Sequence, residues 1–130
     1  MKSKVTFATV RKIALAMPDV EESSSYGTPS FKLRGSLMTC MAINKSAEPG
    51  SLAVRIDFDQ RDHLLAEAPE IYYVTDHYVN YPVVLARLSK LDSGALRDLM
   101  GAAWRYVNSV VPKRKLKVRK RTRSVTPGKR

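Results

Sequence analysis

Apolar positions along this chain follow two rhythms, and each change of rhythm marks an element. Phe7, Val10, Ala14 and Met17 recur at helical spacing with Ile13 beside them, which predicts an amphipathic first helix. Thr6 can cap it, because its hydroxyl can accept from an unpaired first-turn N–H. Pro18 ends it, since proline disfavours helical backbone in the preceding residue. The stretch EESSSYGTP has the composition of a polar turn. Three strand-like runs follow. SFKLRG alternates Phe31 and Leu33 with Lys32 and Arg34. LMTCMAI is apolar at both parities, the pattern of a central strand. LAVRIDF alternates Leu52, Val54, Ile56 and Phe58 with Ala53, Arg55 and Asp57. Period two with short Gly- and Pro-containing links predicts an antiparallel meander with one packed face.

Asp59 is placed to cap a second helix, QRDHLLAEA, with Asp62 in its first turn and Leu64, Leu65 and Ala68 turned inward. Pro69 stops it. IYYVT and VVLARL are the next strands, joined by the loop DHYVNYP. Asp92 or Ser93 caps the last helix, whose stripe is Leu96, Leu99, Met100, Ala103, Val107 and Val110. The order α-β(3)-α-β(2)-α predicts an α+β fold, a two-layer sandwich of helices on one face of an antiparallel sheet. Residues 1–112 form the expected domain. Residues 113–130 have no aromatic and few apolar side chains, so a disordered tail is expected there.

Charge sharpens that division. The chain of 130 residues carries 23 basic and 12 acidic residues. Ten of the bases are Lys113, Arg114, Lys115, Lys117, Arg119, Lys120, Arg121, Arg123, Lys129 and Arg130, with no acid among them. Taking those ten from 23 leaves 13 bases against 12 acids in residues 1–112, so the body is near neutral and the basic character belongs to the tail. Such a segment binds phosphate backbones by counterion release, and neutralising about eight phosphates gives a log–log salt slope of roughly −7 on duplex DNA. Leu116 and Val118 are too few for a membrane-surface helix. No run is long enough to cross a bilayer, and MKSKVTFATVRK lacks the apolar core of a signal peptide. The single cysteine, Cys40, suits a reducing cytoplasm.

The segments SYGTPSFKLRG and SLAVRIDFDQRDHLLAEAPEIYYVTDHYVNYPVVLARL, following a helix that ends in proline, resemble the MmcQ/YjbR family of small bacterial proteins. The resemblance runs from about Thr6 to Val111. It implies a CyaY-like fold, similar to secretion chaperones, and a DNA-binding label, with no catalytic residues to carry over.

Two surfaces are candidates for binding. If Phe31, Leu33, Leu52, Val54, Ile56, Val84, Ala86 and Leu88 face the helices, Lys32, Arg34, Arg55 and Arg87 point the other way. There, beside one of Tyr72 and Tyr73, they could hold phosphates, or Asp57 could simply balance them on a solvated face. Tyr72, Tyr73, Tyr78 and Tyr81 could together line a partner surface, or serve only the packing of their own loop. Cys40, in the most apolar strand, reads as a small hydrophobe rather than a nucleophile for His77. Asp57, Asp59, Asp62 and His63 read as capping and balancing groups rather than a metal site. No phosphate-loop, dinucleotide or nucleophile-elbow motif occurs. The expected function is non-enzymatic and cofactor-free: non-specific DNA binding. The alternative is a protein- or peptide-binding, chaperone-like module. Oligomeric state stays open.

Overall fold

A computed structural model describes residues 5–25 and 27–110. The basic segment 113–130, with the disorder and DNA contacts expected of it, lies outside the described residues. Three helices and six strands follow one another: α1 (Phe7–Leu15), β1 (Val20–Ser25), β2 (Thr28–Leu33), β3 (Ser36–Met41), β4 (Ser51–Arg55), α2 (Phe58–Glu67), β5 (Tyr72–Tyr73), β6 (Val83–Arg87), a 3-10 turn at Leu88–Lys90, and α3 (Ser93–Val110). All strand pairs are antiparallel, in the spatial order β1-β2-β3-β4-β6-β5. The fold is α+β.

The core lies between the sheet and helices α1 and α3. Val10 and Ala14 of α1, and Leu96, Leu99, Met100, Ala103 and Val107 of α3, are buried against Phe31, Leu33, Leu52, Val54, Val84 and Ala86. Each large side chain so buried contributes about 1.5–3 kcal/mol. Thr6 occupies the N-cap of α1, and its backbone N–H donates to the Thr9 hydroxyl at 3.2 Å. Asp92 caps α3 by accepting from the Ala95 N–H at 2.8 Å. Val110, expected in the α3 stripe, is exposed because the helix runs past the end of the core.

Four local expectations are corrected. The polar stretch expected to be a turn is largely β1, so four strands precede α2. Asp19, at φ 64, turns the chain out of α1, and β1 then pairs along β2 from Val20↔Leu33 to Ser25↔Thr28. An edge strand needs only backbone partners on one side, so VEESSS carries no apolar rhythm. Second, Asp57 rather than Asp59 caps α2, accepting from the Gln60 N–H at 2.7 Å. Third, Phe58 therefore opens that helix and is exposed instead of ending the β4 alternation. Fourth, the buried residue of α2 is Arg61, while Leu64, Leu65 and Ala68 are half-buried against the core.

Candidate functional site

Strand register sets which residues face away from the helices. Leu52 and Val54 point into the core. Their neighbours Ala53 and Arg55 take the opposite face, joined there by Cys40, Leu85 and Val83 through the pairs Cys40↔Ala53, Ala53↔Leu85 and Arg55↔Val83. A β-bulge lets β3 serve both layers. Lys32 pairs with Leu37 and Phe31 with Thr39, so Met38 is the extra residue. Met38 and Thr39 are both buried, while Leu37 and Cys40 fall to the outer side. This is why LMTCMAI is apolar at both parities.

The outer face is not flat. A cleft of about 830 Å³ opens on it, lined by Leu37, Cys40, Met41, Ile43, Asn44, Lys45, Ala53, Arg55, His77, Tyr78, Tyr81, Pro82 and Val83. Its volume falls within the roughly 300–1,000 Å³ typical of ligand sites. Strands β3, β4 and β6 form the floor. The segments 42–50 and 74–82 contribute the remaining lining. Ile43 and Tyr81 are exposed at 55% and 59%, an unusual position for large apolar surface beside an apolar floor. Tyr78 is half-buried, stands edge-on to His77 with ring centroids 4.7 Å apart, and has its hydroxyl pKa raised by burial. Burial also raises the Cys40 thiol above its ordinary value, so it stays protonated near neutral pH. Lys45, Arg55 and His77 line the cleft, and no Asp or Glu does.

Each lining segment is tied down from outside the cleft. Segment 42–50 is held by Arg87, whose Nε and Nη2 donate to the two Glu48 carboxylate oxygens at 2.9 and 2.7 Å. The same guanidinium sits 4.3 Å from the Tyr73 ring centre and donates to the carbonyls of Pro69 and Glu70. The Tyr73 hydroxyl accepts from the Glu48 N–H at 2.8 Å and hydrogen-bonds Ser51. Ser46 and Thr75 hydroxyls join the two segments at 2.8 Å. Hydrogen bonding from Arg87 holds the Glu48 carboxyl below the usual glutamate value. Segment 74–82 is held by Arg61, whose Nη1 donates to the carbonyls of Val79, Tyr81 and Val83 at 3.2, 2.9 and 3.3 Å. Its guanidinium lies 4.8 Å from the Phe58 ring centre, and its Nε is buried without an acceptor among the described residues.

The expected basic face assembles only in part: Arg34 leaves it, while Lys32, Arg55 and Arg87 keep the outward parity. Arg34 turns toward the helix layer, because it sits in the β2–β3 turn at φ 48 rather than in the strand. Its guanidinium meets Asp19 at 3.2 Å and Asn108 of α3 at 2.7 Å. Arg55 reaches across the start of β3 to the Ser36 hydroxyl and the Leu37 carbonyl, and lies 5.6 Å from the Tyr106 ring centre of α3. Arg87 does reach the outer face but is spent on Glu48. Lys32 is half-buried on β2. The tyrosines also divide. Tyr72 points into the core at 5% exposure and is not a surface group, because its partner Ala86 faces the helices. Tyr73 is an anchor, and only Tyr78 and Tyr81 line the cleft. Cys40 is on the cleft floor rather than in the helix-side core. Asp57, Asp59 and His63 border a separate open depression at the start of α2.

Sequence reasoning missed Arg61, Glu48, Lys45 and Ile43. The one available signal was β3 itself: apolar residues at both parities report that both faces are covered. Nothing local marks Arg61, which looks like any exposed helical arginine.

No protein-family model matches the chain. A stretch of 41 residues is 39% identical to uncharacterised proteins of Mycobacterium tuberculosis and Mycobacterium bovis, and that match spans 32% of this chain and 32% of each relative. The crystal structure of the Deinococcus radiodurans protein DR2400, a DUF419 domain, is similar with a TM-score of 0.70 and 16% identity over 87% of each chain. Among the described residues no helix is long and apolar enough to cross a membrane. At 16% identity the likeness is one of fold, and it assigns no role to any residue of the cleft.

Proposed function

We propose that the folded domain is a non-catalytic interaction module that takes an apolar peptide segment of a partner protein into the cleft. The observation that supports this is the acid-free apolar cleft itself, with Ile43 and Tyr81 exposed at its border. Apolar surface left open beside a rigid floor gains by covering. Membership of the MmcQ/YjbR family and residence in the cytoplasm are part of the same proposal. They rest on the quoted segments and on the single cysteine. To test the reading, random peptides displayed on phage are selected against the intact chain, and recovered peptides are remeasured on Ala53→Phe and Tyr81→Ala. Ala53→Phe fills the floor, and Tyr81→Ala removes an exposed ring without touching the core. Binding lost in both variants, with unchanged circular dichroism, supports the cleft. Equal binding to all three chains rejects it.

A second reading has its own support in the ten cations from Lys113 to Arg130. In that reading the chain binds DNA without sequence preference through this segment. The folded body adds little, since Arg34 and Arg87 are already paired with acids. A salt titration on random-sequence duplex, comparing the full chain with one ending at Pro112, tests it. Binding that survives the truncation with its slope intact contradicts the assignment to this segment.

A further inference from the structure

The cleft is one-sided in charge as well as apolar. Among its lining residues Lys45 and Arg55 carry positive charge and none carries negative charge. Elsewhere the described arginines often meet carboxylates: Arg11 with Glu22, Arg34 with Asp19, Arg87 with Glu48. Arg55 has a different set of partners. Its hydrogen bonds go to a hydroxyl and a backbone carbonyl, both through Nη1, and its guanidinium faces an aromatic ring. Those contacts fix its position while leaving its charge without a described counter-ion. A guanidinium held in place presents its remaining donors in a planar fork that suits a carboxylate. Lys45 is exposed on segment 42–50 at the same cleft. A cation held beside apolar walls attracts an anion more strongly than one in open water.

We propose that the peptide segment bound in the cleft carries an acidic side chain beside its apolar anchor, with that carboxylate received by Arg55 and supported by Lys45. This rests on the peptide-binding reading above and specifies the chemistry of its partner. The apolar anchor would cover Cys40, Ala53 and Val83, and the acid would lie toward the Arg55 end of the floor.

The test uses peptides recovered from display on the intact chain, each synthesised with Glu→Gln or Asp→Asn at its acid and, separately, with an amidated C-terminus. Affinities are measured on the native chain, Arg55→Gln and Lys45→Gln at fixed salt. The segment 113–130 attracts any acidic peptide, but it is common to all three chains and cancels in a double-mutant cycle. The expected result is a loss of about tenfold on neutralising the peptide acid, as for a charge-assisted hydrogen bond. That loss largely disappears when Arg55 is already Gln. Lys45→Gln, at an exposed position, gives a smaller coupling in the same direction and keeps the test valid if Arg55→Gln unfolds. Cleft-dependent peptides with no acid, or a loss that follows only the C-terminal carboxylate, overturn this inference and leave the peptide-binding reading standing. Peptides indifferent to Ala53→Phe overturn the peptide-binding reading instead.

Discussion

Two segments line the cleft, and each is held by an arginine, but the two arginines work by different physics. Arg87 holds segment 42–50 through Glu48, a carboxylate 53% exposed to solvent. Arg61 is 7% exposed and holds segment 74–82 to β6 through two backbone carbonyls of the segment, Val79 and Tyr81, and that of Val83, with no carboxylate. An exposed ion pair is screened by water and salt, so it sets geometry more than it adds stability. A buried guanidinium is different: removing it takes away several hydrogen bonds at once and leaves the space beneath the segment without a donor. The segment containing Tyr78 and Tyr81 is therefore expected to be part of the cooperative fold, and the segment containing Ile43 and Lys45 a more easily loosened edge.

The strongest way to break this comparison is Arg61→Met, which preserves apolar bulk and removes the donors. It should cost roughly 2–4 kcal/mol, as other losses of buried polar partners do, read as a lower midpoint in urea unfolding. A midpoint within error of the native chain would mean that segment 74–82 does not depend on Arg61. Arg87→Gln is expected to leave global unfolding nearly unchanged. Its effect should appear as faster amide hydrogen exchange in residues 44–50, with residues 78–82 unaffected.

Acid sharpens the contrast further. The folded-state pKa of Glu48 is depressed by its hydrogen bonds from Arg87. The contribution of this pair is therefore present above the ordinary glutamate pKa of about 4.3 and is lost as pH falls below it, through the folded value. Exchange in residues 44–50 should accelerate in that acid window. The Arg61 contacts contain no acid and should stay unchanged there until global unfolding. Glu22, whose pKa is lowered by Arg11, responds in the same window but at β1, on the far edge of the sheet.

The smallest expected effect is at Cys40, on the cleft floor. Burial raises its thiol pKa, so at pH 8 it should react with iodoacetamide more slowly than in the urea-unfolded chain. Arg61→Met should speed the reaction more than Arg87→Gln does. A native rate equal to the unfolded one would show that the floor is open to solvent.

Local rhythm was enough for much of this molecule. Helices α1 and α3, the packed parity of β2, β4 and β6, and the α+β class were all legible, because an element with one buried face writes that face into its own residues. The cap at Asp92 was legible for the same reason: the capping carboxylate and the Ala95 N–H it serves are close in sequence. Thr6 takes the expected N-cap position, but its own N–H donates to the Thr9 hydroxyl. Tertiary structure alone decided the rest. Strand β1 exists only because β2 offers it backbone partners. Arg34 leaves its expected face because the β2–β3 turn places both Arg34 and Gly35 in the left-handed region. Arg61 is buried because segment 74–82 and the start of β6 fold over it from 18 to 22 residues away. The cleft joins β3, β4, β6 and two linking segments, and no window along the chain contains that neighbourhood. Periodicity reports how an element meets one neighbouring layer, whereas a site depends on which distant segments are brought together over it.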